Sequence, residues 1–179
     1  MKSSLPIKLT LSIGLAGTIL TAFIYAAVQQ NYRSSANDPQ VQLAEDGAAA
    51  LRAGTSPFQI VGNGHVEAGT SLAPFVTVFG PDRQPLATNG QFKQVTRVPP
   101  AGTFDYAKAH GQDRFTWEPG TGNREAAVLV YNGGTNPGYV LAARDLREVE
   151  ARESNLTTMA GAAVGVLLVL TLALLLITK

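Results

Sequence analysis

Two uncharged apolar stretches, Leu9–Val28 and Leu156–Thr178, bracket one long polar segment, and this constrains the chain more than any other feature. About 20 apolar residues at a helical rise of 1.5 Å reach roughly 30 Å, the thickness of a bilayer's hydrocarbon core. The chain therefore divides into a tail (1–8), a first transmembrane helix (9–28), a polar domain (29–155) and a second transmembrane helix (156–178). The polar part is one domain's worth of sequence. It is long enough to bury a core without covalent staples, which suits a 179-residue chain with no cysteine. The alternative for the first stretch is a cleaved signal peptide. Its apolar region would normally run about 7 to 15 residues and end in a small-x-small site. This stretch is longer, and no such site is clear around Tyr25, Ala26 and Ala27.

Charge orients the arrangement. All 13 acidic residues and 11 of the 14 Lys and Arg lie between Gln29 and Asn155, so the middle is net negative while the tails are purely basic. Lys2 and Lys8 precede the first span and Lys179 follows the second. The positive-inside rule then puts both termini in the cytoplasm and the domain outside it at the cell membrane, with Arg33, Arg144, Arg147 and Arg152 voting the other way from the domain side. A formal net charge of +1 gives no bulk attraction to nucleic acid, and no basic patch with interleaved aromatics is present. Small residues mark candidate helix-packing faces: Thr10, Gly14, Thr18 and Ala22 in the first span, and a GxxxG pair, Gly161 and Gly165, in the second. The partner would be the other span or a second copy.

The polar segment opens with helix-forming residues, Gln29 to Ala53, whose Val41, Leu43, Ala44, Ala48 and Leu51 share one face. Pro39 predicts a kink or restart, capped by Asn37 or Asp38, and Gly54 a stop. Phe75–Phe79 then reads as a strand, followed by turn residues Gly80, Pro81 and Asp82 and a short return strand. A short helix is expected around Phe104–Ala109. Three further strand-like runs, "DRFTWEP", "REAAVLVYN" and "GYVLAARD", are joined by Gly- and Asn-rich turns. A last helix is expected from near Asp145, running into the second span. Its charge run, Arg144 to Glu153, reads as a solvated face.

Three stretches together resemble the extracytoplasmic sensor modules of bacterial membrane histidine kinases and chemoreceptors, of PAS-like or Cache fold. They are "ANDPQVQLAEDGAAAL", "PFVTVFGPDRQPLATNG" and "TWEPGTGNREAAVLVYNGGTNPGYVLAARDLREVEAR". The resemblance implies an α+β fold in which a PAS-like antiparallel sheet packs on a long N-terminal helix, flanked by two transmembrane helices. It also implies a small-molecule pocket and an exit helix that carries signal through the bilayer. Those sensors continue into a HAMP, kinase or methyl-accepting region, whereas one lysine follows the second span here. The expectation is a sensing module without catalytic output, relaying to a membrane kinase, a transporter or a second copy. A structural or assembly scaffold of a membrane complex is the alternative from a different class.

Chemistry is sparse. His65 and His110 fall outside any metal spacing such as HExxH, the glycine-rich stretches lack Walker or Rossmann context, and no GxSxG elbow occurs. Neither an enzyme nor a cofactor or metal site is expected. For binding, Trp117, Tyr131, Phe75 and Tyr139 could wall a pocket in which Arg124 anchors a small anionic ligand by a bidentate pair. The competing reading makes these aromatics core and leaves Arg124 at a solvated strand edge.

Overall fold

A computed structural model describes residues 5–35 and 38–177. Lys2, Lys179 and the capping candidate Asn37 lie outside them. The chain forms two compact units, one of Met1–Arg33 with Val149–Lys179 and the other of Ser34–Glu148.

The first unit contains the apolar parts of two helices, α1 (Leu5–Ser35) and α5 (Arg147–Ile177). Both are long and apolar enough to cross a membrane. They lie antiparallel, with contacts from Gly14 beside Thr171 to a 3.2 Å ion pair between Arg33 and Glu153. Leu9, Phe23, Leu168 and Val169 are among the large side chains they expose, each at least 60%. The hydroxyls of Thr10, Thr18, Thr21 and Thr171 donate to the carbonyl four residues earlier. Such back-bonding satisfies these four hydroxyl hydrogens within their own helices.

Of the expected packing residues, Gly14 lies in this contact, and Thr18 is half-buried with its hydroxyl bonded to Gly14 O. A Cβ at Gly14 would stand 2.6 Å from Thr171 Oγ1, and Gly17 similarly faces Leu167. Gly161 and Gly165 meet no atom within 4 Å of where a Cβ would be. Gly161 instead lines an open groove of about 430 Å³ with Thr21, Ala22, Tyr25, Thr157, Ala160 and Val164. The close approach of α1 to α5 is thus made on α1's small residues rather than on the GxxxG pair.

The second unit is α+β. It contains α2 (Asp38–Arg52), α3 (Pro57–Val61), β1 (Val66–Glu67), β2 (Phe75–Phe79), β3 (Pro85–Thr88), β4 (Gly90–Gln91), α4 (Ala101–His110), β5 (Gln112–Gly120), β6 (Asn123–Asn132) and β7 (Gly138–Asp145). Five strands form an antiparallel sheet in the order β3-β2-β7-β6-β5, while β1 and β4 make a separate parallel pair. The sequence pattern anticipates the helix, the hairpin, the short helix and the last three strands. It misses α3 and the β1–β4 pair.

Alternation along β6 and β7 divides the core into two layers. Val128, Val140 and Ala142 face α2, with Ala44, Ala48 and Leu51 opposite them. Gly47 lets that helix approach, since a Cβ there would come 2.9 Å from Val140 Cγ1. α2 ends at Gly54 (φ 89°), where Thr55 N–H reaches Ala50 O and Gly54 N–H reaches Leu51 O, a left-handed terminus that glycine accommodates without strain. The opposite layer holds the aromatics, covered by α4 and by Phe92 just after β4.

The β2–β3 turn is built on Gly80 to Gln84. Arg83 N–H bonds Gly80 O, Gly80 N–H bonds Gln84 O, and Arg83 takes φ 66°. This is a tight turn with a left-handed residue closing it. Asn89 then stitches three elements: its amide donates to Val61 O, its side-chain oxygen accepts from Val76 N–H, and its carbonyl accepts from Val66 N–H.

Candidate functional site

The aromatic layer follows from register. In the β5–β6 ladder Trp117 opposes Glu125, and in β6–β7 Tyr131 opposes Tyr139, which also opposes Phe79 of β2. Two edge-to-face chains result. Phe75, Phe92 and Trp117 have ring centroids 5.8 and 6.0 Å apart; Phe79, Phe104 and Tyr139 follow at 5.3 and 5.0 Å. Tyr131 joins the second chain 5.0 Å from Tyr139. These geometries are favourable beyond simple burial. Burial is also the main reason that the Tyr139 phenol is held above its ordinary range.

Phe75, Trp117, Tyr131 and Tyr139 thus share one layer, where they pack as core with only Tyr131 half-buried. Arg124 is not brought to them. It has the parity of Val128 and Val130 on the opposite face of β6, and it is exposed. One sequence position separates it from Glu125, and in a strand one position means the other face.

A cavity of about 640 Å³ opens beside this layer, bounded by three segments: Glu67 at the end of β1 with Gly69 and Thr70 beyond it; Phe92, Lys93 and Arg97 after β4; and Pro119, Thr121 and Asn123 around the β5–β6 turn. Phe92 connects its floor to Trp117 and Phe75. Two cations and one carboxylate line it, so its electrostatics favour an anion. Among the described residues neither Lys93 nor Arg97 forms an ion pair.

No family model and no curated protein matches this chain.

The cavity's character therefore rests on its own geometry. Lys93 and Gln94 are the central residues of a tight turn closed by reciprocal bonds between Phe92 and Val95, and both have positive φ, 51° and 64°. That geometry is normally supplied by Asn-Gly or Asp-Gly. Lysine and glutamine in it store backbone strain of the kind concentrated at binding sites. Lys93 N–H is held by Glu67 Oε1 at 2.9 Å, which fixes the turn at the cavity's rim. Nothing in the residue types of "FKQV" announces this turn, so Lys93 and Arg97 escape a reading from sequence.

Glu125 also escapes it. The side chain is fully buried, both carboxyl oxygens lack a hydrogen-bond partner among the described residues, and its neighbours across the ladders are Trp117 and Asp145. Burial first and Asp145 second raise its pKa to about 8, against a smaller lowering by Arg147. The signal was present in the alternation of "REAAVLVY", which puts Glu125 in the aromatic layer. Among the described residues no three His, Asp or Glu side chains group closely enough to hold a metal ion.

Proposed function

We propose that the unit of Ser34–Glu148 is a small-ligand-sensing module of the PAS-like or Cache kind, held at the extracytoplasmic face of the cell membrane by α1 and α5. It binds a small anionic ligand, a carboxylate in the first instance, between Lys93, Arg97 and the Phe92 floor. The observation that carries the reading is the cationic cavity set against an aromatic layer and rimmed by a strained turn. A five-stranded antiparallel sheet lying on the helix that leads into the domain supports the fold-level likeness. The membrane placement draws on the exposed apolar faces of both helices, whose cost in water would be large. The ligand's state would pass along α5, which is continuous from Arg147, and on to a membrane kinase, a transporter or a second copy.

Thermal unfolding of the full chain in detergent, against a panel of small carboxylates, tests the binding. A ligand held at 100 times its Kd stabilises by about 2.7 kcal/mol, and Lys93→Ala with Arg97→Ala should abolish the shift. No shift across the panel, together with a stoichiometric membrane protein recovered by crosslinking, would favour a scaffold instead. Protease access in intact cells tests placement, where a shielded domain would overturn the extracytoplasmic assignment.

A further inference from the structure

We infer that Glu125 is a proton-binding site that governs how Arg147 holds the segment 68–72, and through Thr70 one wall of the cavity. Four residues make the arrangement. Glu125 is 0% exposed, neither of its oxygens has a hydrogen-bond partner among the described residues, and it stands directly across the β6–β7 ladder from Asp145, itself 6% exposed. Asp145 is already engaged: Oδ1 accepts the Arg147 backbone N–H at 2.6 Å, and Oδ2 pairs with the Arg147 guanidinium at 3.3 Å. The same guanidinium nitrogen donates to Thr70 O at 3.0 Å. Thr70 lines the cavity.

One cation therefore serves a carboxylate and a carbonyl, with a second carboxyl waiting beside them. While Glu125 holds its proton, Asp145 is the one anion of this cross-strand pair and Arg147 can bridge it to Thr70. When Glu125 releases that proton to solvent, two anions face each other at cross-strand distance, where like charges repel. Arg147 is the positive group within reach of both. Its guanidinium turns toward the carboxylates, and Thr70 loses its donor. The proton-dependent affinity of Glu125 has the right sense, because burial and Asp145 both oppose its ionisation while Arg147 favours it.

The other groups around Glu125 leave this competition undisturbed. β5 contributes the Trp117 indole, which carries no charge. Arg144 bonds Leu72 O at 2.9 Å and pairs with Glu148, so the far end of the segment stays anchored in either state. Glu67, before the segment, is occupied with Lys93 N–H. The inference rests on the proposed cavity for its meaning, but the latch can be tested with no ligand present.

Hydrogen exchange on the full chain in detergent, corrected for intrinsic rates and read on peptides covering 67–73, tests it. Wild type is expected to lose protection there about tenfold between pH 6 and pH 9. Glu125→Gln, neutral and of the same shape, should keep the pH 6 protection at both values. Arg147→Gln should show the weaker protection at both. A wild type without the step, or a step that survives in either variant, overturns the proposal. Neither result bears on whether carboxylates bind the cavity, which the thermal panel reads separately.

Discussion

Gly90 lies so close against Phe75 that a Cβ at residue 90 would stand 2.3 Å from the ring's Cγ. Phe75 is 2% exposed and in edge contact with Phe92, so the ring cannot move aside without breaking the first aromatic chain. Gly90→Ala is expected to destabilise the domain by about 3 kcal/mol. Urea titration followed by Trp117 fluorescence measures this. Gly102→Ala is the control: it lies in α4 with open space around it and should gain about 0.5 kcal/mol.

Packing of α1 on α5 can be trapped chemically. A Cβ at residue 14 would stand 3.3 Å from Thr171 Cβ, just short of the usual disulfide separation of about 3.8 Å. Since the chain has no cysteine of its own, Gly14→Cys with Thr171→Cys should form one intramolecular bridge on mild oxidation, seen as a faster band on non-reducing gels. Gly161→Cys paired with Gly14→Cys should not. Bridging in the second pair alone would show a different apposition of the helices.

The turn at Lys93–Gln94 should be easy to stabilise. A left-handed conformation costs a residue with a Cβ about 1 to 2 kcal/mol, and glycine avoids it. Gln94→Gly is therefore expected to raise stability by about 1 kcal/mol, after allowing for glycine's own entropy. The same variant should weaken the response to carboxylates if the strained turn positions Lys93. Unchanged stability would mean that the left-handed geometry costs nothing there.

Stability should fall as pH rises. Burial and the neighbouring Asp145 push the Glu125 carboxyl up to about 8 in the fold, above the ordinary 4.5 that it has in the unfolded chain. Between these values the native state holds the extra proton, so the stabilising contribution is whole below pH 4.5 and is lost as pH climbs through 8. The melting temperature is expected to drop by roughly 5 °C or more from pH 5 to pH 9. Glu125→Gln should flatten the profile; an equally steep profile in the variant would assign the loss to other groups.

The parts of the fold legible in the sequence are those where one physical signal dominates. The spacing of Ala44, Ala48 and Leu51 marks the buried face of α2, although the fully buried Gln40 beside them carries no such mark. Gly80, Pro81 and Asp82 announce their turn, and Gly- and Asn-rich junctions delimit β5, β6 and β7. By contrast β1 and β4 are two residues each, too short to show any period, and exist through backbone bonds to Asn89 and Gln91. The candidate site is legible only in part. Phe75, Trp117, Tyr131 and Tyr139 declare themselves as aromatic residues, and they do share a layer. Arg124 is near them in sequence, but strand parity assigns the place beside Trp117 to Glu125. The glycine pair at 161 and 165 fits a packing motif, yet which small residues meet a neighbour depends on helix rotation, which composition does not encode.

The strand order also dictates when the domain can exist. β7 sits between β2 and β6 and is the last of the five strands to be made. Until Asp145 has left the ribosome, the β2–β3 hairpin and the β5–β6 hairpin have no common neighbour, and loops must close over some 60 residues before the sheet is continuous. The next residues to emerge are those of α5. With α5 crossing the membrane as proposed, folding of the sheet and insertion of that helix would fall at nearly the same moment of synthesis, with the unpaired edges of β2 and β6 in need of protection until then.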